Sequence, residues 1–372
     1  MGRHAAPPGN ASRSPVGRAA GERGGVRWPR GRGRPVRRAV LHTVRVRPRL
    51  QHAPARTPVV EAPGGGQVTS QPGGVDAAVV PSGPRRIALA ASGKLVELWR
   101  ARELLVQLVR KELKVRYRNS ALGFLWSMLT PVLMTAVFSV VFTQIVRIPV
   151  DDFPAFFISG YLVWQFLQNS CQGAIHSIVG NGELIKKVYF PREVLPLSHV
   201  FAQLIHLLLA LLVLSPYLVY TRGLDVLVHL PTTLLAIALL TVFVSGIAMW
   251  FAGVNVVFRD LQELFVVIFQ VWFYATPVIY PLALVTAQIE ARFAWVATVI
   301  AINPATVFVE LSRLGLYGSV VAVEDGGPLL VDGPPDWPSL TSVGVAGGWA
   351  VLAFLLGYLV FLRRARTFAK EV

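Results

Sequence analysis

The residues in this chain best suited to chemistry are cations, and they are grouped. Arg110, Lys111, Lys114, Arg116 and Arg118 fall within nine residues, directly ahead of a stretch that turns apolar and stays so. At a helical advance of about 100° per residue, Leu95, Leu98, Trp99, Leu105, Val106, Val109, Leu113 and Tyr117 fall in one arc. Arg100, Glu103, Gln107, Arg110, Lys111, Lys114 and Arg118 fall in another. Arg102 and Arg116 lie inside the apolar arc, where a long guanidinium stem can still reach phosphates. A helix of this pattern lies in a membrane interface rather than crossing it, and its cations suit anionic headgroups. A solvated surface helix of a soluble domain is the plainer alternative.

Other chemistry is not spelled out. The Gly93-Lys94 pair lacks the upstream Gly and the following Ser or Thr of a phosphate-binding loop, so this chain is not expected to hydrolyse ATP or to hold a cofactor. The sequence shows no metal-ligand spacing, no Gly-x-Ser-x-Gly elbow and no paired carboxylates in its apolar stretches. Those stretches carry almost no ionisable residues at their centres, which leaves little for proton or sodium coupling. The single cysteine, Cys171, excludes a disulfide within the chain and reads as small apolar packing.

The elements that must position these cations belong to a membrane. Of 372 residues 53% are hydrophobic and 15% charged, with a mean hydropathy of +0.54, more apolar than a soluble protein of this length needs. The net charge of +16 is uneven: residues 1–90 hold 16 Arg against Glu22, Glu61 and Asp76, or +13. Residues 1–88, rich in Arg, Pro and Gly, are expected to be a disordered tail that does little, with a place near anionic lipid preferred to nucleic-acid binding as the functional alternative. The recognisable protein begins near Ile87, so a translation start downstream of Met1 is also expected. Residues 89–120 form the interface helix and residues 121–372 the transmembrane domain.

Six stretches reach the roughly 20 apolar residues a span requires. They run over about Ala121–Val146, with Pro131 inside; Ala155–Ile178; Leu195–Tyr220, with His199 and His206 on one face; Pro231–Val257; Leu264–Val285; and Val343–Leu362. The second is polar for a lipid-facing helix and is expected to face protein or a cavity. In the fourth, Ser245, Gly246 and Gly253 are close-packing positions. The stretch from Phe293 to Tyr317, broken at Asn303-Pro304 and carrying Glu310 and Arg313, predicts short helices that dip into the outer side of the membrane. The fold class is therefore an all-α integral membrane protein with six transmembrane helices, an N-terminal amphipathic interface helix and short re-entrant outer helices between spans five and six. With both termini cytosolic, the inner segments hold 16 Lys and Arg, and the outer ones only Arg147, Arg222, Arg292 and Arg313.

The segment between spans two and three, from Asn181 to Pro196, combines Leu184, Ile185, Val188 and Phe190 with Lys186-Lys187 and two prolines. A cytosolic loop with apolar residues and stiffeners invites a partner, and an ordinary hairpin packed on its own bundle is the alternative. Three stretches then carry a resemblance: Arg110 to Trp126 followed by Pro131; Asn181 to Pro196 with Lys187 and Phe190-Pro191; and Phe258-Arg-Asp-Leu261, followed by a span ending in Thr276-Pro277 and Tyr280-Pro281. Together they resemble the permease subunits of type-2 ABC exporters that move polysaccharides, O-antigens and teichoic acids.

The resemblance implies a homodimer served by two copies of an ABC ATPase subunit that holds ATP and Mg. The channel would export a lipid-linked polysaccharide (O-antigen, galactan or teichoic-acid-like polymer) across the bacterial plasma membrane. Arg110, Lys111, Lys114, Arg116 and Arg118 would meet the diphosphate of a polyprenyl-linked glycan or anchor to membrane lipids. Asn181, Leu184, Ile185, Lys187, Phe190 and Pro191 would dock on the ATPase, with Arg259 and Asp260 as a second contact or a local ion pair. Trp126, Tyr161, Trp164, Phe166, Trp272, Phe273 and Tyr274 would line the glycan conduit, since flat sugar faces stack on rings, although rings at interfaces also form belts. Export of a small amphipathic drug or lipid is the alternative within the superfamily, and a membrane glycosyltransferase is the rival outside it.

Overall fold

A computed structural model describes residues 97, 99–117, 125–322, 330–365 and 368. The 1–88 tail, Leu95, Leu98 and Arg118 lie outside the described residues. Helix α1 is Arg102–Tyr117 and α2 is Leu125–Ser139, continued without a break by a π-helical turn, Val140–Ile145. Helix α3 is Phe153–Ser177, with Pro154 in its first turn, where its missing N–H costs nothing. A short 3-10 turn leads into α4, Gly182–Lys187. Then come α5, Val194–Arg222; α6, Asp225–Val228; α7, Leu230–Asn255; α8, Leu261–Tyr274; α9, Leu282–Ile302; and α10, Pro304–Leu316. Strands β1, Val320–Ala322, and β2, Leu330–Asp332, pair antiparallel with Val320 opposite Asp332, and α11 is Leu340–Ala365.

Among the described residues, four helices are long and apolar enough to cross a membrane: Leu125–Ile145, Val194–Arg222, Leu230–Asn255 and Leu340–Ala365. The pair Phe293–Ile302 and Pro304–Leu316, bent by 67°, makes a fifth if counted as one crossing. Helix α3 is long enough but more polar, and it is buried along nearly its whole length against α2, α5, α7, α8 and α10. It is the centre of the bundle, as its polarity predicts.

The expected fifth span is not one helix. Helix α8 has 14 residues and spans about 21 Å at 1.5 Å per residue, short of the roughly 30 Å of a hydrocarbon core. Prolines at 277 and 281 lack the N–H that would continue it, and the chain turns before α9 begins. Helix α9 is itself kinked at Phe293, where φ is −141° and ψ is 63°. The β1–β2 pair is a further departure from the all-α expectation.

Helices α7 and α11 pack most closely. A Cβ at Gly246 would run into the backbone of Ala353 and Phe354, and one at Gly357 into the backbone of Gly246. Only hydrogen fits at that crossing, which is the close approach that small residues allow between membrane helices. The expectation for Gly246 is met; Gly253 similarly approaches Phe361.

The segments expected on one side of the membrane meet at one end. Leu108 of α1, Ile185 of α4, Val194 and Leu195 of α5, Met249 of α7 and Phe361 of α11 share one apolar cluster. At the other end Asp151, Asp152, Arg222, Tyr317, Asp332 and Asp336 join the loops.

Candidate conduit, coupling segment and polar cleft

Helix α3 presents Phe153, Phe157, Tyr161 and Trp164 at spacings of four, four and three, which places them on one face. Helix α8 answers with Phe265, Phe269, Trp272 and Phe273 by the same rule. The result is a continuous run of rings. Phe142 stacks on Phe153 at 5.5 Å, Phe157 on Tyr161 at 5.1 Å, and Tyr161 meets Phe273 edge-on at 6.5 Å. Trp164 then meets Phe273, Trp272 and Phe269 at 5.5, 5.7 and 5.9 Å, and Phe269 stacks on Phe265 at 4.0 Å.

The seven rings named from the sequence therefore divide. Tyr161, Trp164, Trp272 and Phe273 belong to the run. Trp164 is only 2% exposed, so it packs within the bundle, while Tyr161, Trp272 and Phe273 keep partly exposed faces. Tyr274 is exposed and, among the described residues, meets the run through Phe273. Trp126 is exposed at the start of α2, and Phe166 faces a different cleft.

Two residues that the sequence showed only as interruptions hold the bent segment. Asn303 caps α10 by accepting from the Ala305 N–H at 3.1 Å, and it also accepts from Trp272 Nε1 at 2.8 Å. Its Nδ2 donates to the Ala275 carbonyl at 3.1 Å and to Thr276 Oγ1 at 3.0 Å. One amide thus ties α8, its terminal turn and α10 together. Arg313, 1% exposed, donates to Glu310 at 2.6 Å and to the carbonyls of Pro277 and Val278 at 3.0 and 3.2 Å. Its guanidinium lies 3.9 Å from the Phe156 ring centre, and Gly160 leaves the room it occupies. The signal was present in the sequence: a cation in an apolar helix has to find acceptors, and a turn with two prolines exposes carbonyls.

At the other end, the single O–H of Tyr317 is shared between the Asp151 carbonyl and Asp332 Oδ2, and the Arg222 guanidinium covers its ring at 3.7 Å. Burial pushes the Asp332 carboxyl above the usual carboxylate range, against the lowering pull of the Asp151 N–H and the Tyr317 hydroxyl.

At the end of the bundle that gathers the basic segments, α1 packs through one edge of its apolar arc. Leu108 and Val109 are buried, whereas Trp99 and Val106 are exposed. The turn of the buried face toward Leu108 brings α1 onto α5: Glu112 lies 3.6 Å from His199, and Arg116 donates to Gln203 at 3.2 Å. Lys111 donates to Asn181 Oδ1 at 3.3 Å, which joins α1 to the segment before α4. Arg110 and Lys114 are exposed.

Of the expected docking residues, Ile185 is buried and Leu184 and Phe190 are partly buried against the same inner cluster. Lys187 is exposed and pairs with Glu183 at 2.5 Å. Asn181 and Pro191 are half-buried, and Arg192 reaches the Ala365 carbonyl and the Phe368 ring. The apolar side chains that stand out are instead Val188 and Tyr189, the latter 95% exposed. Arg259 and Asp260 are both exposed at the turn before α8 and form no ion pair with each other among the described residues. The Asp260 carbonyl receives the N–H groups of Glu263 and Leu264.

A third feature was not expected. Arg116, Ser127, Gln165, Asn169, Gln203 and His206 line a cleft between α1, α2, α3 and α5, walled by Met128, Leu162, Phe166, Leu207 and Ala210.

Residues 103–317 match the model of the ABC-2 type transporter family. The chain belongs to that family. As an ABC-2 transporter chain it is also similar to named permeases. It is 34% identical over 199 residues to the O-antigen export system permease protein RfbA of Klebsiella pneumoniae, covering 53% of this chain and 74% of that one. It is 37% identical over 209 residues to the protein of the same name from Myxococcus xanthus, covering 56% and 78%. The matched region holds the aromatic run, residues 181–196 and the cleft, so these features belong to the ABC-2 portion of a multi-pass membrane protein.

Proposed function

We propose that this chain is the channel-forming subunit of an ATP-driven exporter that moves a lipid-linked polysaccharide across a bacterial plasma membrane. The observation that carries the reading is the run of rings along α3 and α8, closed at its outer end by a bent helix pair that a single asparagine and a buried arginine hold. Aromatic faces bind sugar rings without regard to sequence, which suits a moving polymer. The likeness to O-antigen export permeases supports the same cargo class.

Six crossings per subunit fit the hydropathy if α3 is counted as a buried span and α8 with its turn as a broken one. Both termini are then cytosolic, which puts the basic segments inside. The broken α9–α10 segment forms the outer re-entrant helices. Two subunits are needed to enclose a polymer path, and two copies of a separate ABC ATPase supply the energy, since this chain has no phosphate-binding loop. Helix α4 and the residues after it form the ATPase contact, with Val188 and Tyr189 reaching outward and Leu184, Ile185 and Phe190 passing load to α1 and α11. Arg110, Lys111 and Lys114 stand at headgroup depth, where they meet anionic lipid or the carrier diphosphate.

The test is to co-express the protein with the ABC ATPase encoded beside it and to measure ATP turnover in nanodiscs with and without lipid-linked glycan. Turnover that responds to glycan, and an ATPase subunit that is lost on Tyr189→Ala, are expected. An absent ATPase, or turnover indifferent to glycan, refutes the exporter reading and favours a glycosyltransferase on the same carrier.

A further inference from the structure

We propose that Arg192 is a positioning residue that clasps the C-terminal turn of α11, so that a displacement of the segment after α4 is carried to α11 and to α7 behind it. The inference rests on the exporter reading for the source of the displacement.

The clasp answers what the end of a helix lacks. The last four carbonyls of α11 have no donors within the helix, and its dipole gathers partial negative charge at that terminus. Arg192, between α4 and α5, donates from Nη1 to the Ala365 carbonyl, so a permanent cation caps the helix. Its guanidinium also lies 5.9 Å from the ring centre of Phe368. Phe368 is fully buried and meets Phe361 of α11 edge-on at 5.3 Å. One side chain thus holds both the final carbonyl of α11 and the ring beyond it.

The chain on either side of Arg192 makes this a path. Val188 and Tyr189 are exposed, and Val188 is extended, with φ −131° and ψ 135°. Pro191, whose ring fixes its own φ, stands directly before Arg192. The Leu195 N–H in the first turn of α5 donates to the Arg192 carbonyl at 3.2 Å. A push at Tyr189 therefore reaches Arg192 through a short, stiff length of chain. Leu184, Ile185 and Phe190 also touch the apolar cluster at that end, but apolar contact is non-directional and lets surfaces slide. A charge-assisted hydrogen bond joined to a cation–ring contact fixes direction as well as distance. Beyond the clasp, a Cβ at Gly253 of α7 would come within 3.2 Å of the Phe361 Cα, and Gly246 meshes with Gly357. What Arg192 pulls is the α7–α11 pair.

The test uses the full chain with its ATPase subunit in nanodiscs. Val137→Cys on α2 and Leu355→Cys on α11, both at exposed positions, carry spin labels, and the buried Cys171 takes none. The α2–α11 distance distribution is measured by pulsed electron resonance without nucleotide and with ATP and vanadate, beside ATP turnover and recovery of the ATPase subunit. ATP is expected to shift the distribution in the labelled wild type. Arg192→Gln, which keeps a donor but not the cation, is expected to lower the ratio of shifted to unshifted populations about tenfold, the scale of a lost charge-assisted hydrogen bond. Phe368→Leu keeps the apolar contact with Phe361 but not the ring under the cation; it should lower the ratio about threefold, with turnover and subunit recovery unchanged. Arg192→Lys, which keeps the charge, should recover part of the shift. A merely structural role predicts lower recovery or melting temperature with the ATP-driven ratio intact in the complexes that form, and that result overturns the proposal. So does a labelled wild type in which ATP leaves the α2–α11 distance unmoved. If Arg192→Gln fails to assemble, Phe368→Leu decides alone. A wild-type preparation without the ATPase subunit refutes the exporter reading and the clasp's source of motion with it, whereas a recovered subunit with unaltered shifts in the variants refutes the clasp alone.

Discussion

Replacing Asn303 separates the role of the outer knot from that of a simple helix cap. Its amide uses both donors and accepts twice, from Trp272 Nε1 and the Ala305 N–H and toward Ala275 and Thr276. The cap is worth about 1 kcal/mol. Each of the other three bonds is worth about 0.6 kcal/mol on the scale measured inside membrane bundles. Asn303→Ala should therefore cost roughly 3 kcal/mol. Asn303→Ser restores the cap but is too short to reach Trp272, so it should cost about 2 kcal/mol. Equilibrium unfolding of the purified protein in mixed micelles measures both, and a double-mutant cycle with Trp272→Phe isolates the indole bond. If Asn303→Ala cost under about 0.5 kcal/mol, or if Ser and Ala were equivalent, the amide would not be the tie described here.

Three further outcomes are expected. Arg313→Leu strands Glu310 and the carbonyls of Pro277 and Val278 and should destabilise the protein by about 3–5 kcal/mol, of which Arg313→Leu with Glu310→Leu recovers part; unfolding of both variants checks this. Gly246→Val forces side-chain atoms into the backbone of Ala353 and should cost 3 kcal/mol or more, read as loss of monodisperse protein on size exclusion, whereas the exposed Leu355→Val should be silent. Asp332 binds its proton more tightly when folded than when unfolded, so the stability it contributes is complete below the ordinary aspartate range and is lost as pH rises through its raised value. The melting temperature of wild type should accordingly fall relative to Asp332→Asn as pH is raised from that range toward neutrality; a constant difference would refute the assignment.

The membrane class, most helices and the position of the bend could be read directly, because apolar length and proline placement are local properties. The run from Leu264 to Val285 misled because hydropathy measures composition and not continuity: Thr276-Pro277 is apolar enough to pass, yet it cannot be helical throughout. The packing of α1 against the bundle likewise depends on more than its own sequence. A helical wheel gives the widest apolar arc, but α5 offers His199 and Gln203, and the pairs Glu112–His199 and Arg116–Gln203 turn Leu108 inward. Among the docking residues that the resemblance implies, the chain buries Ile185 and partly buries Leu184 and Phe190, and it leaves Lys187 and the neighbouring Tyr189 to solvent. The cleft was invisible because its six polar residues come from four helices.

The crossing at Gly246 and Gly357 bears on how the helices can move. Shifting either helix by one residue, about 1.5 Å along its axis, would bring a side chain into a gap that admits only hydrogen atoms. Helices α7 and α11 are therefore locked in register like two meshed racks and must travel as one body. In the exporter proposed above, a stroke delivered at α4 would be taken up by the parts held less rigidly: the π-helical end of α2, the kink at Phe293, and the hydrogen-bonded seam along α1.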